Sequence, residues 1–341
     1  MLWDIIDKSI AGDILSTDEI GFLLRLPLFT EESALVLSAA RKKSEALNNG
    51  YAEVHARIQL DHAPCPNNCS FCSFAKRNFN VPRHWLSPEE IIKRALNYEA
   101  DHANAVLISA TAAYPFERFI EMSQELNSVL QPETIKVANI GDISLEQAFR
   151  LVDCGYVGVY HAVRLGESID TSITLDRRQQ TFRNIKEAGL LLGTCLEPIG
   201  SEHTIRELVE KTMLTILAEP VFGGAVRRIP LPSQGLTHEE MVSEAEMAHI
   251  LAVVRLALDY SVPGLCTYEP NVIGAAAGAN LFWADSDSKL DTVEYPRTLR
   301  PLSSVTECRH IFEEAEWPVL KGPSKLYAPK SENLHYPRKT G

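Results

Sequence analysis

Three cysteines, Cys65, Cys69 and Cys72, lie close together in the segment Ala63-Pro-Cys-Pro-Asn-Asn-Cys-Ser-Phe-Cys, with the spacing C-x3-C-x2-C. Cysteine thiolates are the usual ligands of iron–sulfur clusters. Three of them can bind three irons of a cubic [4Fe–4S] cluster and leave the fourth iron free to bind a substrate or cosubstrate. The spacing therefore predicts a catalytic cluster in which these three cysteines are the metal ligands.

A structural zinc ion is an alternative interpretation of the same cysteines. Zinc sites usually combine two thiolates with a second pair of Cys or His residues. The sequence contains no second C-x2-C and no H-x3-H after the motif, although His62 and His84 flank it. Disulfides are not expected, because the seven cysteines are an odd number and the chain starts without a secretory signal. The expected compartment is the cytoplasm.

The composition excludes several classes of protein. The chain has 341 residues, of which 45% are hydrophobic and 23% charged, as in globular proteins. Its net charge of -12 argues against a nucleic-acid-binding surface, which needs clustered Lys and Arg. No apolar run reaches the roughly 18 residues that a membrane span needs. We therefore expect neither nucleic acid nor membrane as a partner.

Eight short apolar runs after residue 50 are candidates for buried parallel strands. They are Val54–Leu60, Ala105–Ser109, Thr134–Ala138, Val157–Tyr160, Leu190–Leu196, Ala225–Ile229, Gly264–Tyr268 and Asn280–Ala284. Between the runs, a hydroxyl residue followed three positions later by an acid or amide predicts the start of a helix. These capping boxes are Ser87–Glu90, Ser144–Gln147, Thr204–Glu207 and Thr237–Glu240.

Alternating strands and helices imply parallel strands joined by right-handed crossovers, and eight such units close a (β/α)8 TIM-type barrel of the α/β class. The predicted domains are an N-terminal helical extension over residues 1–50, a barrel over 51–285 and a C-terminal extension over 286–341. The extension contains a predicted helix near Ser304–Ala315 and a polar tail over Lys330–Gly341. Barrel chemistry takes place at the C-terminal ends of the strands, where the cysteine motif follows the first strand.

The cysteine motif, with the aromatic Phe71 before its third cysteine, resembles that of the radical S-adenosylmethionine (SAM) enzymes. The chain is most similar to their biotin synthase-like group, which includes biotin synthase, methylornithine synthase and hydrogenase-cofactor maturases. The amide of Asn68 is expected to shape the loop. Further segments that carry the resemblance are Ile10–Glu19 with Leu23-Leu24, Ala113–Arg118, Tyr160-His161 and Ala277–Asn280.

The resemblance implies two cofactors, a [4Fe–4S] cluster and SAM, and residues that bind SAM. Phe71 would stack near the adenine, or simply pack the loop, and Tyr160 lies on the strand that approaches the ribose. Arg164 and Glu167 follow that strand, where related enzymes carry an acid that orients the SAM amine or ribose. Arg178 aligns with the arginine that binds the SAM carboxylate in biotin synthase, and a planar guanidinium suits this contact. Arg164 and Arg178 could instead be exposed helix charges.

Polar side chains at the ends of later strands are candidates for binding the substrate. Glu197 follows the fifth predicted strand, and an acid in such apolar surroundings costs free energy unless it is paired. Arg228 lies at the end of the sixth strand, and Tyr268 and Glu269 lie at the end of the seventh. These charges could bind a polar substrate or pair with each other. We expect substrate contact for Arg228 and Glu269.

The chain departs from biotin synthase at the second cluster, which that enzyme holds deep in its barrel through three cysteines and an arginine. The matching positions here lie near Leu107 and Val137, which are not thiols, and near Cys195, which is alone. Isolated cysteines usually pack as small hydrophobic residues. The cysteines without a matching role are Cys154, Cys266 and Cys308.

We therefore expect a single cluster that receives an electron from a reductant such as flavodoxin or ferredoxin and cleaves SAM to a 5'-deoxyadenosyl radical. The radical would abstract hydrogen from a small substrate, in the biosynthesis of a cofactor or an unusual amino acid. One alternative is a sulfur-inserting enzyme of biotin or lipoyl type, with an auxiliary cluster held by Cys195, Cys266 or a partner protein. The other is a zinc-stabilised binding module without catalysis.

Overall fold

The computed structural model describes residues 1–78, 83–229, 241–287 and 303–328. Its strands are β1 (Glu53–Gln59), β2 (Asp61–His62), β3 (His84–Trp85), β4 (Ala105–Ser109), β5 (Lys136–Asn139), β6 (Gly158–Tyr160), β7 (Leu191–Gly193), β8 (Leu196–Ile199), β9 (Phe222–Arg227), β10 (Gly264–Thr267) and β11 (Leu281–Ala284). Its helices are α1 (Leu2–Ile10), α2 (Thr17–Leu24), α3 (Glu31–Glu45), α4 (Pro88–Ala100), α5 (Phe116–Val129), α6 (Leu145–Asp153), α7 (Leu175–Glu187), α8 (Ile205–Ala218), α9 (Glu244–Ala257), α10 (Val272–Ala276) and α11 (Val305–Glu314), with a 3-10 turn at Asn48–Gly50.

Eight of these strands form a closed parallel barrel in the order β1-β4-β5-β6-β7-β9-β10-β11, and β11 pairs with β1 to close the ring. The fold is therefore the predicted (β/α)8 TIM-type barrel. β8 continues the chain directly after β7 and pairs with β9, so these two short strands share the fifth position of the barrel. β2 and β3 form a separate antiparallel pair on either side of the cysteine loop.

The sixth strand begins earlier than the apolar pattern predicts, at Phe222 rather than Ala225. Gly223 and Gly224 conceal it in the sequence, because glycine is depleted in strands. The barrel explains the second glycine: a Cβ atom at Gly224 would lie 2.1 Å from the backbone oxygen of Cys266 in the neighbouring strand β10. The close approach of the two backbones therefore requires glycine at position 224, although glycine is unfavourable in a strand.

Helices α1 to α3 cover the outside of the barrel near α9, as predicted for residues 1–50. The hydroxyl of Ser9 donates to the Leu256 oxygen at 2.6 Å, and the Tyr260 hydroxyl donates to the Ile10 oxygen at 2.9 Å. α9 is consequently buried along most of its length. The three capping boxes at Ser87, Ser144 and Thr204 form as predicted, whereas Thr237–Glu240 lies outside the described residues.

The segment after α11 fills the N-terminal end of the barrel interior. Leu326 and Tyr327 pack there against Phe222, and the backbone N–H of Lys325 donates to the buried carboxylate of Glu53 at 2.8 Å. α11 itself confirms the predicted helix near Ser304–Ala315, and Ser304 caps it. The tail over Lys330–Gly341 lies outside the described residues, and the division into three domains stays a prediction. No helix in the described ranges is long and apolar enough to cross a membrane.

Candidate active site

A cavity of about 610 Å³ opens among the C-terminal ends of the barrel strands. It contains most of the residues that the sequence singled out, although they come from distant parts of the chain. The predicted residues that line it are Cys65, Cys69, Phe71, Cys72, Tyr160, Arg164, Arg178, Glu197, Arg228 and Tyr268. Glu167 and Glu269 are not among its lining residues.

The cysteine loop is held in shape by its own polar residues. Asn68 adopts a left-handed conformation with φ of 50°, which Asn tolerates better than most residues, and its Oδ1 accepts from the Arg77 backbone N–H at 3.0 Å. The Asn78 amide donates to the backbone oxygens of Ser70 and Cys72 at 2.8 and 2.9 Å. Asn68 therefore shapes the loop, as expected from the sequence.

Ser70 joins this loop to the segment that follows β6. Its backbone N–H donates to the Asp170 oxygen at 2.9 Å, and its hydroxyl donates to the Asp170 carboxylate at 2.9 Å. The segment that contains Asp170 also carries Arg164 and leads into α7, where Arg178 lies. The contact therefore places the three cysteines and the two predicted SAM-binding arginines on one wall of the cavity.

The donor types on this wall fit a cubic cluster: there are three thiols, the buried guanidinium of Arg178 and the half-buried guanidinium of Arg164. Burial raises the pKa of the Cys72 thiol to about 11, and it raises that of Cys69, where the charges of Arg164 and Arg178 act in the opposite direction. Loading iron deprotonates such thiols, and nearby cations favour the thiolates. Among the described residues no group of three His, Cys, Asp or Glu could hold a metal ion, so the fit rests on donor type and the shared cavity.

Arg178 is fixed between two carboxylates at the edge of the cavity. Its Nε lies 3.2 Å from Glu167 Oε2 and its Nη1 lies 3.0 Å from Asp142 Oδ1, and the residue is 2% exposed. Glu167 also accepts from the Arg164 backbone N–H at 3.0 Å and from the Thr171 hydroxyl at 2.5 Å. Glu167 thus organises the loop and holds Arg178, whereas the sequence predicted a direct contact with SAM.

Asp142 is the second anchor of Arg178 and is a residue that the sequence reasoning missed. Burial disfavours its charge, but His161 at 3.2 Å and the guanidinium groups of Arg178 and Arg177 more than compensate and lower the pKa of Asp142 to about 2. Because this pKa lies below the ordinary value of 3.8, the ionised carboxylate stabilises the folded protein. The contribution is complete above the unfolded pKa and is lost as the pH falls towards the folded pKa.

We expect Asp142→Asn to lower the free energy of unfolding at pH 7 by on the order of 2 kcal/mol, because it removes this ionised group. Below about pH 4 the difference from the wild type should shrink, since the unfolded wild type then takes up the proton. Denaturant midpoints measured from pH 7 to pH 3 test this, with Asp176→Asn as a control on an acid whose side chain is 88% exposed. A difference that stays constant with pH contradicts the assignment.

Arg164 reaches the cavity together with Glu197, whose Oε1 lies 3.4 Å from the Arg164 Nε. The backbone of the same glutamate accepts from the Leu165 N–H at 2.7 Å, and Lys211 donates to the Arg164 oxygen at 3.1 Å. Burial opposes the charge, but Glu197 raises the pKa of Arg164 above its ordinary value. Arg164 and Arg178 therefore both lie at the cavity and are not exposed helix charges.

The candidates at the sixth and seventh strands pair with other side chains. Glu269 binds Arg227, with its Oε1 3.0 Å from Arg227 Nη2. Substrate contact was predicted for Glu269, but it is not among the residues that line the cavity. Arg227, a residue that the sequence reasoning missed, lines the cavity instead. Arg228 does line it, while its Nη2 donates to the exposed Glu202 at 2.9 Å. Pairing, the alternative stated for these charges, describes Glu269 better than substrate contact does.

Tyr268 belongs to a polar group with Arg57 and Asp285, two residues that the sequence analysis did not identify. Its hydroxyl donates to Asp285 at 2.7 Å, and Arg57 Nη2 lies 3.8 Å from the same carboxylate. All three residues line the cavity, and the buried Nε of Arg57 has no hydrogen-bond partner among the residues that the structure describes. A charged residue within the apolar strand β1 is the signal that could have identified Arg57, as it identified Glu197.

Comparison with curated proteins finds biotin synthases. Biotin synthase of Rhodococcus jostii (strain RHA1) is 24% identical over 259 residues, which are 74% of this chain and 76% of that protein. Biotin synthase of Carboxydothermus hydrogenoformans is 24% identical over 261 residues, which are 72% of this chain and 79% of that protein. No protein-family model matches the chain.

Comparison with solved structures finds the same fold over nearly the whole chain. The structure of methylornithine synthase (PylB) superposes with a TM-score of 0.80 at 19% identity and covers 94% of this chain and 98% of that one. The FeFe-hydrogenase maturase HydG from Carboxydothermus hydrogenoformans superposes with a TM-score of 0.75 at 20% identity and covers 93% of this chain and 78% of that one.

Proposed function

Because the chain belongs to the biotin synthase-like group of radical SAM enzymes, we propose that it cleaves SAM reductively and abstracts hydrogen from a small substrate held in the barrel. The observation that carries this proposal is one cavity lined by three thiols, the buried Arg178 and the half-buried Arg164. In this proposal Cys65, Cys69 and Cys72 hold a [4Fe–4S] cluster. When bound, the cluster and SAM supply one electron and a 5'-deoxyadenosyl radical.

The residues of the chain position SAM and exclude water. Arg178 presents a guanidinium that Asp142 and Glu167 hold in one orientation, which suits capture of the SAM carboxylate. Arg164 and Tyr160 lie on the same side of the cavity, and Phe71 is available to stack on the adenine. Preorganised side chains of this kind lower the cost of bringing a reactive group close to its target.

A second group of cavity-lining residues supports recognition of a polar substrate. Arg57, Tyr268 and Asp285 combine a cation, a hydroxyl and an anion there, and Arg228 adds a second cation. Biotin synthase and methylornithine synthase are named for a cofactor and an amino acid. We therefore assign this chain to the biosynthesis of a cofactor or an unusual amino acid, with flavodoxin or ferredoxin as the proposed electron donor.

Anaerobic reconstitution with iron and sulfide tests the proposal. About four irons per chain, a brown chromophore and 5'-deoxyadenosine formed from SAM and dithionite are the expected results. A colourless protein that carries zinc and leaves SAM intact would overturn the proposal and favour a binding module.

Sulfur insertion is a second candidate, because Cys195 and Cys266 meet in the barrel interior and both line the cavity. Leu107 and Val137 share this apolar cluster, so two positions that are thiols in biotin synthase are hydrocarbon here. About six to eight irons per chain would support an auxiliary cluster and therefore this candidate.

A further inference from the structure

Two buried thiols, Cys195 and Cys266, line the same cavity as the cysteine loop. Cys195 follows β7 and Cys266 lies on β10, so the closed barrel brings together residues that are far apart in the chain. Each residue is 1% exposed. They belong to the apolar cluster in the barrel interior, with Val221, Phe222 and Trp283. The pair therefore lies where a substrate in the cavity would meet the barrel core.

Specific contacts hold the pair. Strand β9 lies between β7 and β10 in the barrel, so Cys195 and Cys266 flank it on either side, and Tyr160 packs against the same apolar cluster. The indole N–H of Trp283 donates to the Cys266 sulfur at 2.7 Å. Gly224 of β9 lies beside both residues, because a Cβ atom there would lie 2.1 Å from the Cys266 backbone oxygen and 3.0 Å from the Cys195 sulfur. The other buried cysteines, Cys154 and Cys308, are not among the cavity-lining residues and serve as matched controls.

We propose that the Cys195–Cys266 pair is the hydrogen-atom donor that quenches carbon radicals formed in this cavity, an inference that rests on the proposed radical SAM function. A thiol S–H bond is weaker than an aliphatic C–H bond, so hydrogen transfer from sulfur to a carbon radical runs downhill. The surrounding side chains are mostly hydrocarbon and aromatic, and the phenol of Tyr160, which packs against them, is the competing donor that the serine variants distinguish from the thiols. A second thiol in the same apolar cluster can share the radical that remains on sulfur.

The step balances in atoms and electrons. The carbon radical takes a hydrogen atom from one thiol, so a C–H bond forms, an S–H bond breaks and a thiyl radical remains. The second thiol releases a proton and joins the thiyl to form a disulfide radical anion. One electron from the proposed flavodoxin or ferredoxin and two protons then restore both thiols. The net change is reduction of the carbon radical by one electron and one proton.

Substrate-free cleavage of SAM in D2O tests the inference. The reconstituted enzyme with SAM and dithionite forms 5'-deoxyadenosine, and thiol hydrogens exchange with solvent whereas carbon-bound hydrogens do not. We expect the wild type to give product that carries one deuterium, as read by mass spectrometry. The double variant Cys195→Ser/Cys266→Ser should lose this label, because a serine O–H bond is too strong to donate its hydrogen. Cys154→Ser and Cys308→Ser should keep it.

The outcomes separate the two proposals. Product without deuterium from the wild type, or label that persists in the double serine variant, overturns the donor role and leaves the proposed function standing. Absence of 5'-deoxyadenosine overturns the proposed function and this inference with it. Loss of iron from the double variant would make the pair a cluster ligand and would also overturn the donor role.

A measurement on iron-free protein checks the pairing by itself. Diamide should link Cys195 to Cys266, as mapped in peptides, while Cys154 and Cys308 stay unlinked. Absence of that link would contradict the paired geometry and with it the inference.

Discussion

Cys69→Ala should remove both the iron and SAM cleavage from this protein. Cys69 is the central thiol of the motif and is 8% exposed, so no solvent-borne ligand can readily replace it. Changing even an outer partner of a metal ligand typically costs 10- to 100-fold in metal affinity or activity, so loss of a ligand should lower 5'-deoxyadenosine formation by more than about 100-fold. Iron analysis and single-turnover product analysis under anaerobic conditions measure the two effects.

Cys154→Ala is the matched control for this experiment. Cys154 is also a buried thiol, at 3% exposure, but it ends α6 and is not among the residues that line the cavity. It should keep about four irons per chain and the wild-type rate of cleavage. If Cys69→Ala retains a full cluster, or if both variants lose iron equally, the ligand assignment is wrong.

Arg178→Ala should destabilise the fold and weaken SAM binding together. The guanidinium is 2% exposed and bridges Asp142 and Glu167, so its removal leaves two carboxylates without their shared cation. Breaking a buried ion pair by removing one partner costs about 3–5 kcal/mol. The same variant lacks the fork proposed to bind the SAM carboxylate, so the Kd for SAM should rise. Thermal unfolding of the reconstituted protein and SAM titration read the two effects separately.

Arg177→Ala is the control at the adjacent position. The Arg177 Nε lies 3.1 Å from Asp142 Oδ2, but its side chain is 65% exposed. An exposed ion pair contributes about 0–1 kcal/mol, so this variant should unfold close to the wild type and bind SAM normally. Arg178→Lys should recover part of the stability without the bidentate contact. Equal effects of the two alanine variants would contradict the bridging role of Arg178.

The architecture of the barrel was predictable because each element depends on local patterns. Apolar runs and capping boxes each depend on residues that are close together in the sequence. Ser87, Ser144 and Thr204 cap their helices as predicted. The predicted start of the sixth strand was wrong because the strand contains Gly224. Glycine is needed there to let the neighbouring backbone approach, although it has a low strand propensity. Contacts between distant segments are invisible to a local pattern.

The site was predictable where its residues act as isolated positions. Glu197 and Arg228 were identified as charges at the ends of strands, and both line the cavity. Pairing was not predictable: Glu269 binds Arg227 and is not among the residues that line the cavity, and Glu167 binds Arg178. Which acid meets which base depends on the order and register of the strands, which no single segment encodes.

The sequence by itself determined the class of fold and predicted a metal-binding role for the cysteine motif, because hydrophobic periodicity and metal-ligand spacing are local properties of a chain. Only the tertiary structure decided that Asp142 and Glu167 share Arg178, and that Cys195 and Cys266 line one cavity within one apolar cluster. These contacts join elements far apart in the chain. They exist because the strands close into a ring and bring the residues at their C-terminal ends to a common centre.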